Sequence, residues 1–167
     1  MIKRRLTLFA LLLSLMLTPM AYSQAAATKA PNFSLKTVDN KTIKLSSYKD
    51  QVVYLDFWAS WCEPCRKSFP WMQKLHNQYR KQGLRVITIN LDKDKKETLR
   101  FLREFRIGFP VALDPEGKVA TRYGVKAMPS SYLIDRKGRI RDVHLGFLEK
   151  DQKSIENKIK KLLKENK

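Results

Sequence analysis

The 167-residue chain contains only two cysteines, two histidines and six glycines, and its 34 basic residues outnumber its 16 acidic ones. Each shortage removes a class of protein. Two thiols, Cys62 and Cys65, cannot supply the several bridges of a disulfide scaffold. A four-ligand zinc centre would need both sulfurs and both histidines. His76 falls well along a predicted helix, and His144 lies on a late strand with no second histidine beside it, so no metal site is expected. The longest apolar run, Leu6 to Leu17, is shorter than the roughly 20 residues a membrane-spanning helix needs. No repeat, low-complexity segment or internal linker interrupts the chain.

That N-terminal run does fit a secretory signal peptide. Lys3, Arg4 and Arg5 precede the apolar stretch, and Ala21-Tyr22-Ser23 forms a small-x-small cleavage site before Gln24. The alternative is an uncleaved anchor. No cysteine lies near the cleavage point, which excludes thioether lipid attachment. The expected organisation is a signal peptide over 1–23, a tether over 24–31 and one domain over 32–167, with the mature protein in the periplasm. A basic excess suggests nucleic acid in a cytosolic protein, but an exported one rarely meets it, and no nucleic-acid partner is expected. The basic groups are scattered, with Arg80, Lys81, Lys93, Lys95 and Lys96 far along the chain from Lys158, Lys160 and Lys161. They read as a solvated surface; weak association with an anionic membrane surface or with acidic partners is the functional alternative.

Periodicity predicts an α/β domain. Phe33-Ser34-Leu35 and Thr42 to Leu45 read as short strands around the turn pair Asp39-Asn40. Val52 to Trp58 is a nearly continuous apolar run, as expected of a strand covered on both faces. A helix from about Cys62 to Lys81 turns Phe69, Met72, Leu75 and Tyr79 inward, with Pro70 expected to interrupt and kink it and Gly83 to end it. Leu84 to Leu91 is a second buried strand, joined in parallel to the first. A helix in "KETLRFLREF" places Leu99, Leu102 and Phe105 on one side. Short strands in "FPVALD" and "SSYLID" flank a helix over Glu116 to Tyr123, and "RIRDVHLGF" returns antiparallel after the turn Arg136 to Gly138. A last helix, Lys150 to Lys164, buries Ile155, Ile159, Leu162 and Leu163. The sum is a mixed central sheet flanked by helices.

The strand-to-helix junction places the cysteines. Cys62 falls at the first turn of its helix, where unpaired N–H groups and the dipole favour an anion, so it should be the more nucleophilic sulfur. Pro64 suits an opening turn, and Cys65 lies on the same face, near enough for a disulfide. A purely stabilising bridge would close a loop of two intervening residues, where the entropic gain is least. Asp56 is the second anomaly: an ionised carboxylate within an apolar strand is costly, so its pKa should rise.

The segment "DFWASWCEPCRKSFP" resembles the active-site stretch of the thioredoxin superfamily. More narrowly, "APNFSLKTVDNKTIKLSSYKDQVVYLDFWASWCEPC", "FPVALD" and "GVKAMPSSYLIDRKGRI" resemble its exported TlpA/ResA/CcmG branch, and the resemblance runs from about Ala30 to Lys164. It implies a thioredoxin-like fold with an N-terminal β-hairpin extension, and thiol-disulfide oxidoreductase activity with no cofactor beyond the Cys62–Cys65 disulfide. It implies a cis Met128-Pro129 bond beside the cysteine pair, with Trp61, Met128 and Gly146-Phe147 lining a shallow apolar groove where a client segment adds as a strand. It also implies that Asp56 helps deprotonate Cys65. Thioredoxin carries a lysine near that acid, and the matching position here is Thr88. The ResA and CcmG branch often carries glutamate two residues before the helix proline, and this chain has Ser68.

Cys62 would then attack a substrate disulfide, and Cys65 would resolve the mixed disulfide. Glu63 sets a negative charge beside both sulfurs and opposes thiolate formation, which favours a reductase or isomerase over an enzyme that introduces disulfides. The resemblance implies a membrane electron donor of the DsbD or CcdA kind, and clients among apocytochrome c, copper-site proteins or other exported disulfide proteins. The alternatives are a Cu(I) metallochaperone or copper-site maturation factor using the same soft sulfurs, and a peroxiredoxin-like peroxidase. The peroxidase is disfavoured because no proline precedes Cys62 in the required pattern.

Overall fold

The computed structural model describes residues 28–165. The signal peptide expected over 1–23 and the first part of the tether lie outside them. Five strands form the central sheet: β3 (Val52–Trp58), β4 (Leu84–Asn90), β5 (Val111–Leu113), β6 (Ser130–Ile134) and β7 (Ile140–Leu145). Their order is β5-β4-β3-β6-β7; β3, β4 and β5 are parallel, and β6 and β7 run antiparallel to their neighbours. A hairpin of β1 (Ser34–Lys36) and β2 (Thr42–Lys44) precedes them. Asn40 holds φ at 62° in its turn, the left-handed conformation that asparagine tolerates better than most residues. The hairpin is tied to the sheet where Val38 N–H donates to Val111 O at 3.0 Å.

Strand β3 is central, and all seven of its residues are buried. Its alternation divides the core into two layers. Val52, Tyr54 and Trp58 pack toward α1 (Glu63–Tyr79), Phe101 of α2 (Lys95–Leu102) and α4 (Gln152–Lys164). Val53, Leu55 and Phe57 pack toward α3 (Lys118–Tyr123) and the hairpin. A strand covered on both faces favours apolar side chains along its length, which is why this segment, Asp56 aside, reads as a nearly continuous apolar run.

Three expectations need correction. Helix α1 runs through Pro70 to Tyr79 without interruption. Proline's fixed φ is itself helical, and Phe69, Trp71 and Met72, all buried, anchor the chain on both sides of it. The inward face of α2 is Thr98 and Phe101, whereas Leu99 is 39% exposed. The helix ends at Leu102 and Phe105 lies beyond it; of the predicted stripe, Leu102 and Phe105 pack against the core and Leu99 does not. In α4, Ile155, Ile159 and Leu162 are buried and Leu163 is only half-buried.

Phe101 packs against Trp58 and Phe69 with ring centroids 4.6 and 4.9 Å away. Phe101→Ala should therefore cost about 3–5 kcal/mol in urea denaturation, and Leu99→Ala no more than about 0.5 kcal/mol. Equal losses would restore the stripe predicted from sequence.

Candidate active site

The site begins where β3 ends. Trp58 and Ala59 are fully buried, and two residues later the chain turns outward. Cys62 N–H donates to Ala59 O at 3.2 Å, closing that turn, and Cys62 then caps α1. Its sulfur accepts from Cys65 N–H at 3.2 Å, so an otherwise unpaired N–H of the first helical turn already points at Sγ. Cys62 and Cys65 form a disulfide, with Cα atoms 5.2 Å apart. Cys65 is wholly buried and Cys62 nearly so. Pro64 is the second residue of α1, where a missing N–H costs nothing.

A clamp that sequence reasoning missed fixes the turn from below. The Asp92 carboxylate accepts from Ser60 N–H at 3.0 Å, from Asn90 Nδ2 at 2.9 Å and from Thr98 Oγ1 at 3.1 Å. Thr98 Oγ1 also donates to Asn90 Oδ1 at 2.7 Å. All three side chains are buried, so the carboxylate is held by donors rather than by water. The polar residues Asn90 and Asp92 at the end of an apolar strand were the available signal.

With its backbone held on both sides, Trp61 projects outward and is 72% exposed. Met128 and Phe147 pack against the same apolar cluster that contains both cysteines. The Met128-Pro129 bond is cis, and Pro129 O accepts from Gly146 N–H at 2.8 Å. Glu63 is exposed, and Arg66 Nε lies 3.9 Å from its carboxylate, so its charge is partly answered. The Arg66 guanidinium is also paired with Glu104 and sits 4.8 Å over the Phe101 ring. Ser68 is buried and donates to Cys65 O at 2.9 Å.

Asp56 is 2% exposed, on the face of β3 that carries Tyr54 and Trp58. Three other buried aspartates are well partnered: Asp92 in the clamp, Asp114 by the N–H groups of Val119 and Ala120, and Asp135 by Arg139 and Arg141. Asp56 Oδ2 has no hydrogen-bond partner among the described residues. Burial alone therefore drives its pKa well above the ordinary 3.8. Thr88, on β4, is its partner in register and supplies no positive charge.

The fold and the paired sulfurs define a thioredoxin-like protein of the thiol-disulfide oxidoreductase class. The chain belongs to the AhpC/TSA family, whose profile matches residues 26–143. It is 34% identical over 134 residues to the thiol-disulfide oxidoreductase ResA of Bacillus thuringiensis subsp. konkukian, covering 80% of this chain and 76% of that protein. ResA of Bacillus subtilis (strain 168) is 34% identical over 126 residues, 75% of this chain and 70% of that one. Among solved structures, one assigned as a thiol:disulfide interchange protein DsbE from Chlorobium tepidum superposes with a TM-score of 0.80 at 44% identity, over 82% of this chain and 96% of that chain. StoA from Bacillus subtilis gives 0.65 at 26% identity, over 77% of this chain and 96% of its own.

The Asp56 geometry carries a stability consequence. Its raised pKa means the folded state holds a proton that the unfolded chain releases, so this contribution is complete below pH 3.8 and lost as pH rises through the folded value. Asp56→Asn should raise the melting temperature at pH 7–8, and the gain should fade toward pH 4. A gain that does not depend on pH would contradict the assignment.

Proposed function

We propose that this chain is an exported protein-disulfide reductase that acts through Cys62 and Cys65. The observation that carries the reading is the Cys62–Cys65 pair at the N-terminus of α1, with the unpartnered carboxylate of Asp56 on the sheet face against which that helix packs. In the reduced form the Cys62 thiolate attacks one sulfur of a client disulfide and expels the other as a thiolate. Cys65 gives its proton to Asp56 and attacks Cys62 Sγ, so the client's second sulfur leaves and the Cys62–Cys65 bond closes. Two electrons pass to the client. Trp61, Met128 and cis-Pro129 form the surface for an extended client segment.

Glu63 supports the reducing direction, because a carboxylate near the sulfurs opposes a stable thiolate, although the pairing with Arg66 tempers it. The signal-like residues 1–23 support export to the periplasm. There a membrane donor of the DsbD or CcdA kind would restore the dithiol, and apocytochrome c maturation is one candidate use. Ser68, in place of the glutamate frequent in the ResA and CcmG branch, supports a general reductase over a dedicated cytochrome factor. The basic excess is compatible with weak attraction to an anionic membrane surface.

Cys65→Ser should leave Cys62 free to attack but unable to be released, so clients accumulate as mixed disulfides in periplasmic extracts, identified by mass spectrometry. Cys62→Ser should trap at least about tenfold fewer. Equal capture by the two variants would reverse the order of attack.

A further inference from the structure

Arg136, in the turn between β6 and β7, joins segments that are far apart in the chain. Asp50 N–H donates to Arg136 O at 3.2 Å, and Arg136 Nη1 donates to Asp50 O at 2.6 Å. Its Nη2 donates to Leu163 O, near the end of α4, at 3.1 Å. The guanidinium also covers Gly83, where a Cβ would lie 3.2 Å from Nη1. Two residues on, Gly138 O accepts from Ala30 N–H at 2.9 Å. All of these lie at one end of the sheet, where β3 and β4 begin and β6 ends: Val52 is in register with Leu84, and Val53 with Ile134. The sulfurs follow the opposite end of β3, roughly 20 Å away at the rise of an extended strand.

The two ends of the sheet differ in charge. Residues 28–30, 48–51, 80–83, 135–139 and 160–165, which meet around Arg136, hold ten basic and three acidic side chains. Residues 59–63, 91–97, 114–118, 124–129 and 146–153, at the end that bears Cys62, hold seven basic and eight acidic ones. Two of the three acids around Arg136 are already answered, Asp135 by Arg139 and Arg141, and Glu165 by Arg141. Lys29, Lys49, Arg80, Lys81, Lys137 and Lys164 are exposed and form no ion pair among the described residues. Basic groups scattered along the chain are thus gathered by folding, and Arg80 and Lys81 come to the same end as Lys160 and Lys161. Cations held together in this way repel one another, and an anionic surface laid against them removes that cost.

We infer that this basic end is a docking surface for an anionic lipid bilayer, seated so that Trp61 and the Cys62–Cys65 pair face away from the lipid. The inference deepens the proposed attraction to an anionic membrane and rests on the proposed export; it gives that attraction a place and an orientation. Each Lys or Arg brought within a Debye length of anionic headgroups strengthens binding by about fivefold, so a few cations on one end are enough to hold the protein reversibly. A nucleic acid carries the same charge, but these cations surround a blunt end rather than line a groove or a helix face, which fits a broad surface better than a strand. The chain itself points the same way. Thr28 O accepts from Ile140 N–H at 2.8 Å, so whatever precedes residue 28 leaves the domain on the basic side. Clients in solution then reach the sulfurs without displacing the protein from the lipid.

The test uses protein purified from cells expressing the full chain, sedimented with vesicles of phosphatidylcholine alone or of equal parts phosphatidylcholine and phosphatidylglycerol. Binding should be tighter to the anionic vesicles and should fall steeply from about 0.1 to about 1 M salt, as the Debye length shrinks from about 10 to about 3 Å. Lys49→Glu/Lys81→Glu/Lys137→Glu should weaken it at least about 30-fold. Lys96→Glu/Lys126→Glu/Lys153→Glu makes the same change in net charge at the other end and should weaken it by less than about threefold. Equal losses in the two triple variants, or equal binding to the two kinds of vesicle, would overturn the inference. Tighter binding to a double-stranded DNA fragment than to the anionic vesicles would overturn it too. Two further readouts keep its failure apart from that of the proposed function. The Lys49/Lys81/Lys137 variant should reduce insulin in solution at the parent rate, so a parent protein that binds vesicles but reduces no insulin contradicts the reductase alone. A chain recovered from the cytosol with residues 1–23 still attached contradicts the export alone.

Discussion

The double-sided burial of β3 is the constraint on which the rest depends. Because helices cover one face and the hairpin with α3 covers the other, every residue of the strand must be accommodated without water. Six of its seven side chains meet that demand with apolar or aromatic surface; Asp56 does not. A carboxyl kept in such a place stays neutral to higher pH than a solvated acid, because burial penalises its charged form. The same strand delivers the chain, through a two-residue exit, to the start of α1. The proton site and the sulfur site are therefore consequences of one packed element.

Rigidity at that exit comes from a different source. The Asp92 clamp draws on β4, α2 and the backbone of Ser60, so the turn is held by hydrogen bonds rather than by apolar packing. A turn fixed in this way can leave Trp61 in solvent without losing its shape. Exposure of a large aromatic beside a pair of buried sulfurs suits a surface that must bind varied polypeptides and release them.

Much of this arrangement is legible in the sequence where a signal is local. The apolar run Val52 to Trp58, the Cys-x-x-Cys pair at a strand-to-helix junction and the Asp39-Asn40 turn each depend on near neighbours, and each appears in the structure as read. The α2 face was misread because a helix of eight residues offers two turns of periodicity, and Phe105 lies beyond its end. The clamp was not legible because Ser60, Asp92 and Thr98 meet only after β3 and β4 pair.

The most direct test of the account is the titration of Asp56 itself, followed by carbon-13 NMR of its side-chain carboxyl in the Cys65→Ser variant and in the oxidised wild type. The account predicts an inflection well above the ordinary 3.8 in both, because burial rather than the state of the sulfurs sets it. A carboxyl that titrates at its ordinary value would mean that the strand is not sealed, and the proton chemistry built on it would have no foundation.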